Sequence, residues 1–414
     1  MIGSMLLAVG LVLTTASQLR LPGLPLGLGE ICLSLWLVYA SLRLLTEHIS
    51  NPRALLGLVT FWVFFTLTLS LGTTLALVLD ELDPETMLHD TFAYLLVAAL
   101  SCLLVATMKS TAKLNQTLWF VVAFWNIAMA VQLAVGFGLI SLSSVEPWFW
   151  DRFRGWSENP NQLALYCAIL TTLSLHLALS TNGFRRPLAL FSCLLSFVVG
   201  RLTKSDTFLG SMVLSSVAFL ALRARSWMIS WKRRSLRYAF ATVVAIGIVP
   251  LTMSLAPFAL AIAGDVEGVA ASMTKDHGGE ATKTTANLRL QLWEDAAYHG
   301  LETGSLGLGP GPHLSRPNAV FLGAAPVPFE AHSTPLDVFT QAGLLGLFAV
   351  CGLFAGTFLL VLRARNDTLA MLLVALVLFS MSHFILRHPI VWFAIATCLI
   401  LCMDRAPSRA RIGT

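Results

Sequence analysis

The chain has 414 residues, of which 56% are apolar and only 12% charged, and its mean hydropathy is +0.76. Soluble globular chains carry roughly 25% charged residues, so a water-soluble enzyme is excluded. A net charge of +5 on so apolar a chain also argues against a nucleic-acid partner.

A helix needs about 20 residues to cross a hydrocarbon core about 30 Å thick. Apolar runs fall near 1–18, 23–44, 55–79, 91–107, 117–142, 163–181, 188–200, 207–222, 238–262, 336–362, 368–385 and 389–403. The first has no basic n-region and no small-residue cleavage site, so it reads as a retained helix. Arg201, Lys204 and Asp206 interrupt 188–222, which reads either as two short spans or as one broken helix. With no internal repeat and no soluble domain at either end, 1–414 reads as a single all-α membrane domain of about twelve transmembrane helices.

Charge orients the bundle. With the N-terminus in the cytoplasm, 17 of the 27 basic residues fall inside, six of them clustered between Arg223 and Arg237, while 18 of the 22 acidic residues fall outside. Short-loop Lys and Arg set orientation, so both termini are expected to be cytoplasmic. All seven cysteines, from Cys32 to Cys402, lie in apolar runs. They read as packing residues, with no disulfide framework.

Two external connections stand out. The stretch 143–162 mixes Trp148, Trp150 and Trp156 with Arg152 and Arg154. The tryptophans suit an interfacial belt. The stretch 263–335 is too long for a simple turn. It opens polar and Gly-rich over 276–285, which reads as flexible. It then turns amphipathic from Asn287 to His299, with Leu288, Leu292, Trp293 and Ala296 at helical spacing. That pattern suits a helix lying on the outer leaflet or capping the bundle. A Gly-rich run, Gly304–Gly311, follows, with no Gly-Lys-Ser/Thr behind it, so it is no nucleotide-binding loop. Nothing suggests ATP, NAD or another cofactor. Arg152, Arg154, Arg201, Lys204 and Arg289 run against the positive-inside bias. A guanidinium fork matches phosphate in bidentate geometry that lysine cannot copy. For any one of these residues taken alone, a salt bridge to a neighbouring carboxylate is an equal alternative.

In this order these segments resemble the bacterial O-antigen ligase/O-antigen polymerase superfamily of integral membrane glycosyltransferases. The resemblance is carried by Arg154–Ala164 with Asn161, by Leu202–Asp206, by Arg289–Trp293 with Gly300 and Gly307–Gly311, and by His332-Ser333 with Gly343 and Gly346. It covers roughly 150–350 by motif and the remainder by topology. One departure is Asp206 after Ser205, where the family often has a Ser-Arg pair; Arg201 or Lys204 would have to substitute.

The resemblance implies a GT-C-like bundle in the bacterial inner membrane with a periplasmic site. Its implied donor is a glycan on undecaprenyl pyrophosphate and its implied acceptor a hydroxyl of lipid A-core or of a growing glycan, with neither nucleotide nor metal. On that reading Arg289 meets the charge of the leaving pyrophosphate and His332 takes the acceptor proton, an imidazole pKa near 6.5 suiting the task. Arg154, Arg152, Arg201, Lys204, Asn161 and Trp293 are the expected binding residues. Glu330 or Asp337 is a candidate to orient the imidazole. His176 and His383, in spans, are expected to be packed and hydrogen-bonded, and Gly343 and Gly346 to permit close helix packing.

Ligase and polymerase share these residues. The complete His–Gly spacing, and the absence of a second Arg-plus-ten-Gly pattern near 152–165, favour a ligase. A transporter or flippase, the third reading, would show inverted repeats and mid-membrane ionisable residues; only Glu30, His176 and His383 approach that description.

Overall fold

The computed structural model describes residues 1–20, 27–81, 83–230, 279–315 and 328–403. Most helices start where the sequence provides a stop for the orphan N–H groups. Proline occupies the first turn of α3 (Pro52–Leu79), α4 (Pro84–Thr107) and α6 (Pro160–Ser180), where a missing N–H costs nothing. Asp83 and Asn159 cap α4 and α6, and Ser110 caps α5 (Thr111–Gly136). Glu30 accepts from the Gly27 N–H at 3.0 Å and so closes the start of α2 (Leu28–Thr46).

The remaining helices are α1 (Ile2–Leu13), α7 (Arg185–Leu202), α8 (Asp206–Ser230), α9 (Gly279–Glu302), α10 (Thr334–Arg363), α11 (Asp367–Ser380) and α12 (Pro389–Met403). Seven are long and apolar enough to cross a membrane. The chain is an all-α polytopic membrane bundle, as the hydropathy pattern requires. Cys167, Cys398 and Cys402 are buried, and Cys351 is exposed.

The differences from the sequence reading are local. The stretch 188–222 is two helices joined by a tight turn at 203–205, with Lys204 at φ +49°. The amphipathic helix begins at Gly279, taking in much of the stretch read as flexible. The run 368–385 stops being helical after Ser380, so His383 lies in a connection rather than in a span. The ninth expected span, 238–262, lies outside the described residues.

The centre of the bundle is α6 and α12. The window of α6 that would cross the membrane is 83% buried, and every residue of α12 up to Cys402 is buried. The Trp392 ring of α12 packs at 4.3 Å, tilted by 42°, against Trp62 of α3, and its indole N–H donates to the Leu386 carbonyl at 2.6 Å. Connections sort to two ends. At one end, Gln18 donates to the carbonyls of Gly155 and Ser157, Arg152 reaches Thr203, Thr207 meets Ser382 and Thr334 meets His383. At the other, Asn51 donates to the Met108 carbonyl, Lys109 pairs with Glu47 and Arg223 with Asp367.

The main irregularity is in α10, which breaks at Gly343 (φ +68°, ψ −169°). The Gly-rich run fills the break: the N–H groups of Leu308 and Gly309 donate to the Thr340 and Gln341 carbonyls at 2.8 Å, and the Leu344 N–H donates to Ser305 at 2.9 Å. A Cβ on Gly343 would overlap the Ser305 carbonyl, and one on Gly307 (φ +83°) would meet the Gln341 oxygen at 2.6 Å. Gly343 is thus the seat of a break rather than a packing notch. Gly346 does pack closely, facing Thr68 and Phe65 of α3.

Gly343→Ala is expected to lower the thermal unfolding temperature of the detergent-purified protein, since a left-handed non-glycine backbone alone costs about 1–3 kcal/mol and the overlap adds to it. Gly356→Ala, in the same helix with nothing within 4 Å of its Cβ position, is expected to leave that temperature unchanged or raise it slightly.

Candidate active site

The site is built on the connection between α9 and α10. Leu292 and Ala296 of α9 bury one face of that helix against Leu314 and Ala331, with Trp293, Phe329 and Leu336 around them. This small core is the physical reason for the amphipathic spacing. A two-residue pairing of β3 (Leu314–Ser315) with β4 (Pro328–Phe329) closes the connection. The Trp293 indole then donates to the Ala331 carbonyl at 3.1 Å. Trp293 therefore braces the residue before His332.

His332 has φ +53°, a conformation most side chains avoid. The two oxygens of the Asp337 carboxylate hold it there, accepting from the N–H groups of Ala331 at 2.7 Å and Ser333 at 3.0 Å. Asp337 therefore orients the backbone on either side of the imidazole, not the imidazole itself. The ring stands edge-on to Phe329 at 5.0 Å. Burial lowers the His332 pKa; Glu330 opposes that shift, and Arg289 and Arg387 reinforce it. The imidazole is therefore neutral at neutral pH, the state a base requires.

Arg289, one turn before Trp293 on α9, has no carboxylate partner among the described residues. Its charge acts on His332, on His383 and on Arg152. Arg152 comes from the 143–162 loop, where β1 (Trp148–Phe149) and β2 (Arg152–Phe153) form a short hairpin. Its guanidinium donates to the Thr203 carbonyl at 3.0 Å and to the Asn161 side chain at 2.8 Å, and burial lowers its pKa. Arg152 and Asn161 are thus tied together, with the Lys204–Asp151 ion pair beside them.

The other expected cations are placed differently. Arg154 is committed to its own loop: its fork takes the Glu146 carboxylate at 2.8 Å and the Glu146 carbonyl at 2.9 Å, and it lies over the Phe149 ring at 5.4 Å. For this residue the salt-bridge alternative describes the geometry. Arg201 is exposed at the end of α7. The belt tryptophans also divide. Trp148 and Trp156 are anchored by hydrogen bonds to Gly136 and Thr15, while Trp150 is exposed and stacks only on Phe149.

Arg387, His383 and Asp90 were not among the sequence candidates for the site. Arg387 forms ion pairs with Glu330, two residues before His332, and with Asp90 of α4, and lies over Phe384 at 4.9 Å. The His383 ring packs, tilted, against Phe379 at 5.2 Å, and its Nε2 is buried without a hydrogen-bond partner among the described residues. Burial and the nearby cations push its pKa down to about 3. His176, by contrast, is packed and bonded to Thr368 at 2.9 Å, as expected. The charge pattern also puts Arg387 in a connection expected to be external, so the reasoning that singled out Arg289 applies equally to it. Asp90 gave no signal, since its partner lies 297 positions away. Among the described residues no group of three His, Cys, Asp or Glu side chains is placed to hold a metal ion.

Residues 191–351 match the family model described as O-antigen ligase. That segment runs from α7 through the turn at 203–205, α9 and the Gly-rich run to the break in α10, and so takes in Arg289 and His332. The match supports the O-antigen ligase/polymerase superfamily and, at the family level, a glycosyltransferase-type activity. No curated protein matches the chain.

If His332 is the base, the rate falls only where the imidazole protonates. Its pKa is lowered, so the acidic limb of a pH–rate profile is expected below pH ~6.5, the ordinary imidazole value. A profile of glycan transfer by the purified protein between pH 4.5 and 8 checks this.

Proposed function

We propose that this chain transfers a glycan from undecaprenyl pyrophosphate to an acceptor hydroxyl at the periplasmic face of the bacterial inner membrane, in the manner of an O-antigen ligase acting on lipid A-core. The observation that carries the reading is that Arg289, which has no carboxylate partner among the described residues, lies in the matching segment with a neutral, backbone-clamped histidine, His332. The sidedness rests on the charge pattern, which makes the end holding this site the non-cytoplasmic one.

Each residue has a role in the balanced reaction. The acceptor oxygen bonds to the anomeric carbon of the donor sugar as the bond from that carbon to the phosphate oxygen breaks. His332 takes the acceptor proton, and the electron pair leaves with the lipid pyrophosphate. Arg289 meets that developing charge with fixed donors, and Arg152, steadied by Asn161, faces the same region, with Lys204 at its margin. Trp293 and Asp337 hold His332 in place. No step calls for a metal or nucleotide.

A second space is available for the acceptor. A cavity of about 870 Å³ opens beside α2 and α4 and reaches Arg387 and His388 at its inner end. Glu30, Glu85 and Glu158 line it together with Arg20 and Arg387, a wall of mixed charge that suits a polar glycan acceptor.

Three measurements test the reading. Arg289→Lys is expected to lose nearly as much activity as Arg289→Ala, because charge survives but the fork does not; full activity in the lysine variant would remove the phosphate-clamp role. His332→Ala is expected to slow transfer by about 10²–10⁴-fold, and an unchanged rate would return the histidine to a structural role. With purified protein and lipid-linked glycan, product is expected only when lipid A-core is added. A ladder growing without it would identify a polymerase.

A further inference from the structure

His332 is braced from three directions, and only one brace comes from its own neighbours in sequence. Trp293 holds the Ala331 carbonyl, and Asp337 holds the N–H groups on either side of the histidine. The third brace comes from the connection between α11 and α12. There Arg387 pairs at once with Glu330 and with Asp90.

This connection is itself pinned. The Thr334 hydroxyl, at the first residue of α10, donates to the His383 carbonyl at 2.6 Å and accepts from the Ile385 N–H at 3.0 Å. Trp392 takes the Leu386 carbonyl, and Phe384 lies under the guanidinium. Arg387 is therefore fixed before Glu330 meets it. Asp90 is 1% exposed, and so enclosed a carboxylate needs partners; it has Arg387 and, at 3.0 Å, the His89 ring. One guanidinium thus links α4, at the wall of the large cavity, to the strand that carries the base.

We propose that Arg387 is a positioning residue for glycan transfer: anchored on Asp90, it fixes the Glu330 carboxylate beside His332 and with it the geometry and charge state of the base. The proposal rests on the reading of His332 as that base. Among the described residues, the charges that act on the imidazole are Glu330 from its own segment, Arg289 from α9 and Arg387 from the α11–α12 connection. Glu330 is the one anion among them, so its removal and the removal of Arg387 must act in opposite directions.

The test is the pH dependence of transfer by the full-length protein in nanodiscs, with lipid-linked glycan as donor and the acceptor in excess. Glu330→Gln deletes the anion. Its acidic limb is expected to move to lower pH by about half a unit or more, with a rate at least tenfold reduced because Arg387 no longer grips the strand. Arg387→Gln is expected to move the limb to higher pH, and the double variant to return it towards the wild-type position. Arg387→Lys keeps the charge without the fork, so its limb is expected to stay in place while the rate falls.

A limb that stays unmoved in both Glu330→Gln and Arg387→Gln, whether the rate falls or not, would overturn the proposal and leave Arg387 as scaffold. Should Arg387→Gln fail to fold, the near-isosteric Glu330→Gln decides alone. His332→Ala separates the two levels of the argument. If it is inactive and the limb never moves in the other variants, only the positioning role falls. If it keeps full rate, the reading of the base falls, and this proposal with it.

Discussion

In a hydrocarbon core a backbone N–H or C=O has no water to bond, so a helix can break there only where protein re-satisfies what the break frees. The break in α10 at Gly343 is the constraint on which the site depends. Its freed groups are taken by the Gly-rich run, residue against residue: Leu308 on Thr340, Gly309 on Gln341, Leu344 on Ser305. That interlock fixes the end of α9 relative to α10. Because Arg289 sits on α9 and His332 just ahead of α10, it also fixes the phosphate-binding candidate relative to the candidate base. Gly72 of α3 lies against Gly309 and Gln341, so the interlock is seated on a transmembrane helix rather than on another loop.

Around that seat the site gathers short pieces from four connections. The 143–162 hairpin brings Arg152, the turn at 203–205 accepts it, the α9–α10 connection brings His332 beside Arg289 of α9, and the α11–α12 connection brings His383 and Arg387. The charges are arranged unequally. Arg154 and Lys204 have carboxylate partners of their own, and Arg387 has two. Arg289 has none among the described residues, and Arg152 rests on a carbonyl and an amide. An arginine left without a carboxylate in a partly enclosed place retains its full donor set for an anionic ligand. This difference, rather than the number of basic residues on one face, singles out Arg289.

Much of this was legible in the sequence, for identifiable reasons. Hydropathy periods mark the helices because lipid imposes one length scale on them. Spacing on α9 showed Leu292 and Ala296 inward because that helix has one dry face. His332 and Arg289 stood out through their order beside a Gly-rich run, and residues 191–351 match the O-antigen ligase family model. What the sequence did not show depends on tertiary contact. The Glu146 partner of Arg154 lies in the same loop, yet only the fold shows that the fork is fully used. Gly343 was visible as a glycine, but its purpose was not, since the loop that enters the break lies more than 30 residues upstream. His383 was assigned to a span because apolar residues continue past Ser380, where the helix stops. Asp90 became meaningful only when Arg387 was seen against it.

The central claim is that Arg289, Arg152 and His332 form one site for a lipid pyrophosphate and the hydroxyl that displaces it. The most direct measurement is an experimental structure of the protein in nanodiscs with undecaprenyl pyrophosphate. The account predicts pyrophosphate density between the Arg289 and Arg152 guanidinium groups, with the His332 ring within hydrogen-bonding reach of the space beside it. Pyrophosphate bound instead at the exposed Arg201, or within the large cavity beside α2 and α4, would contradict it.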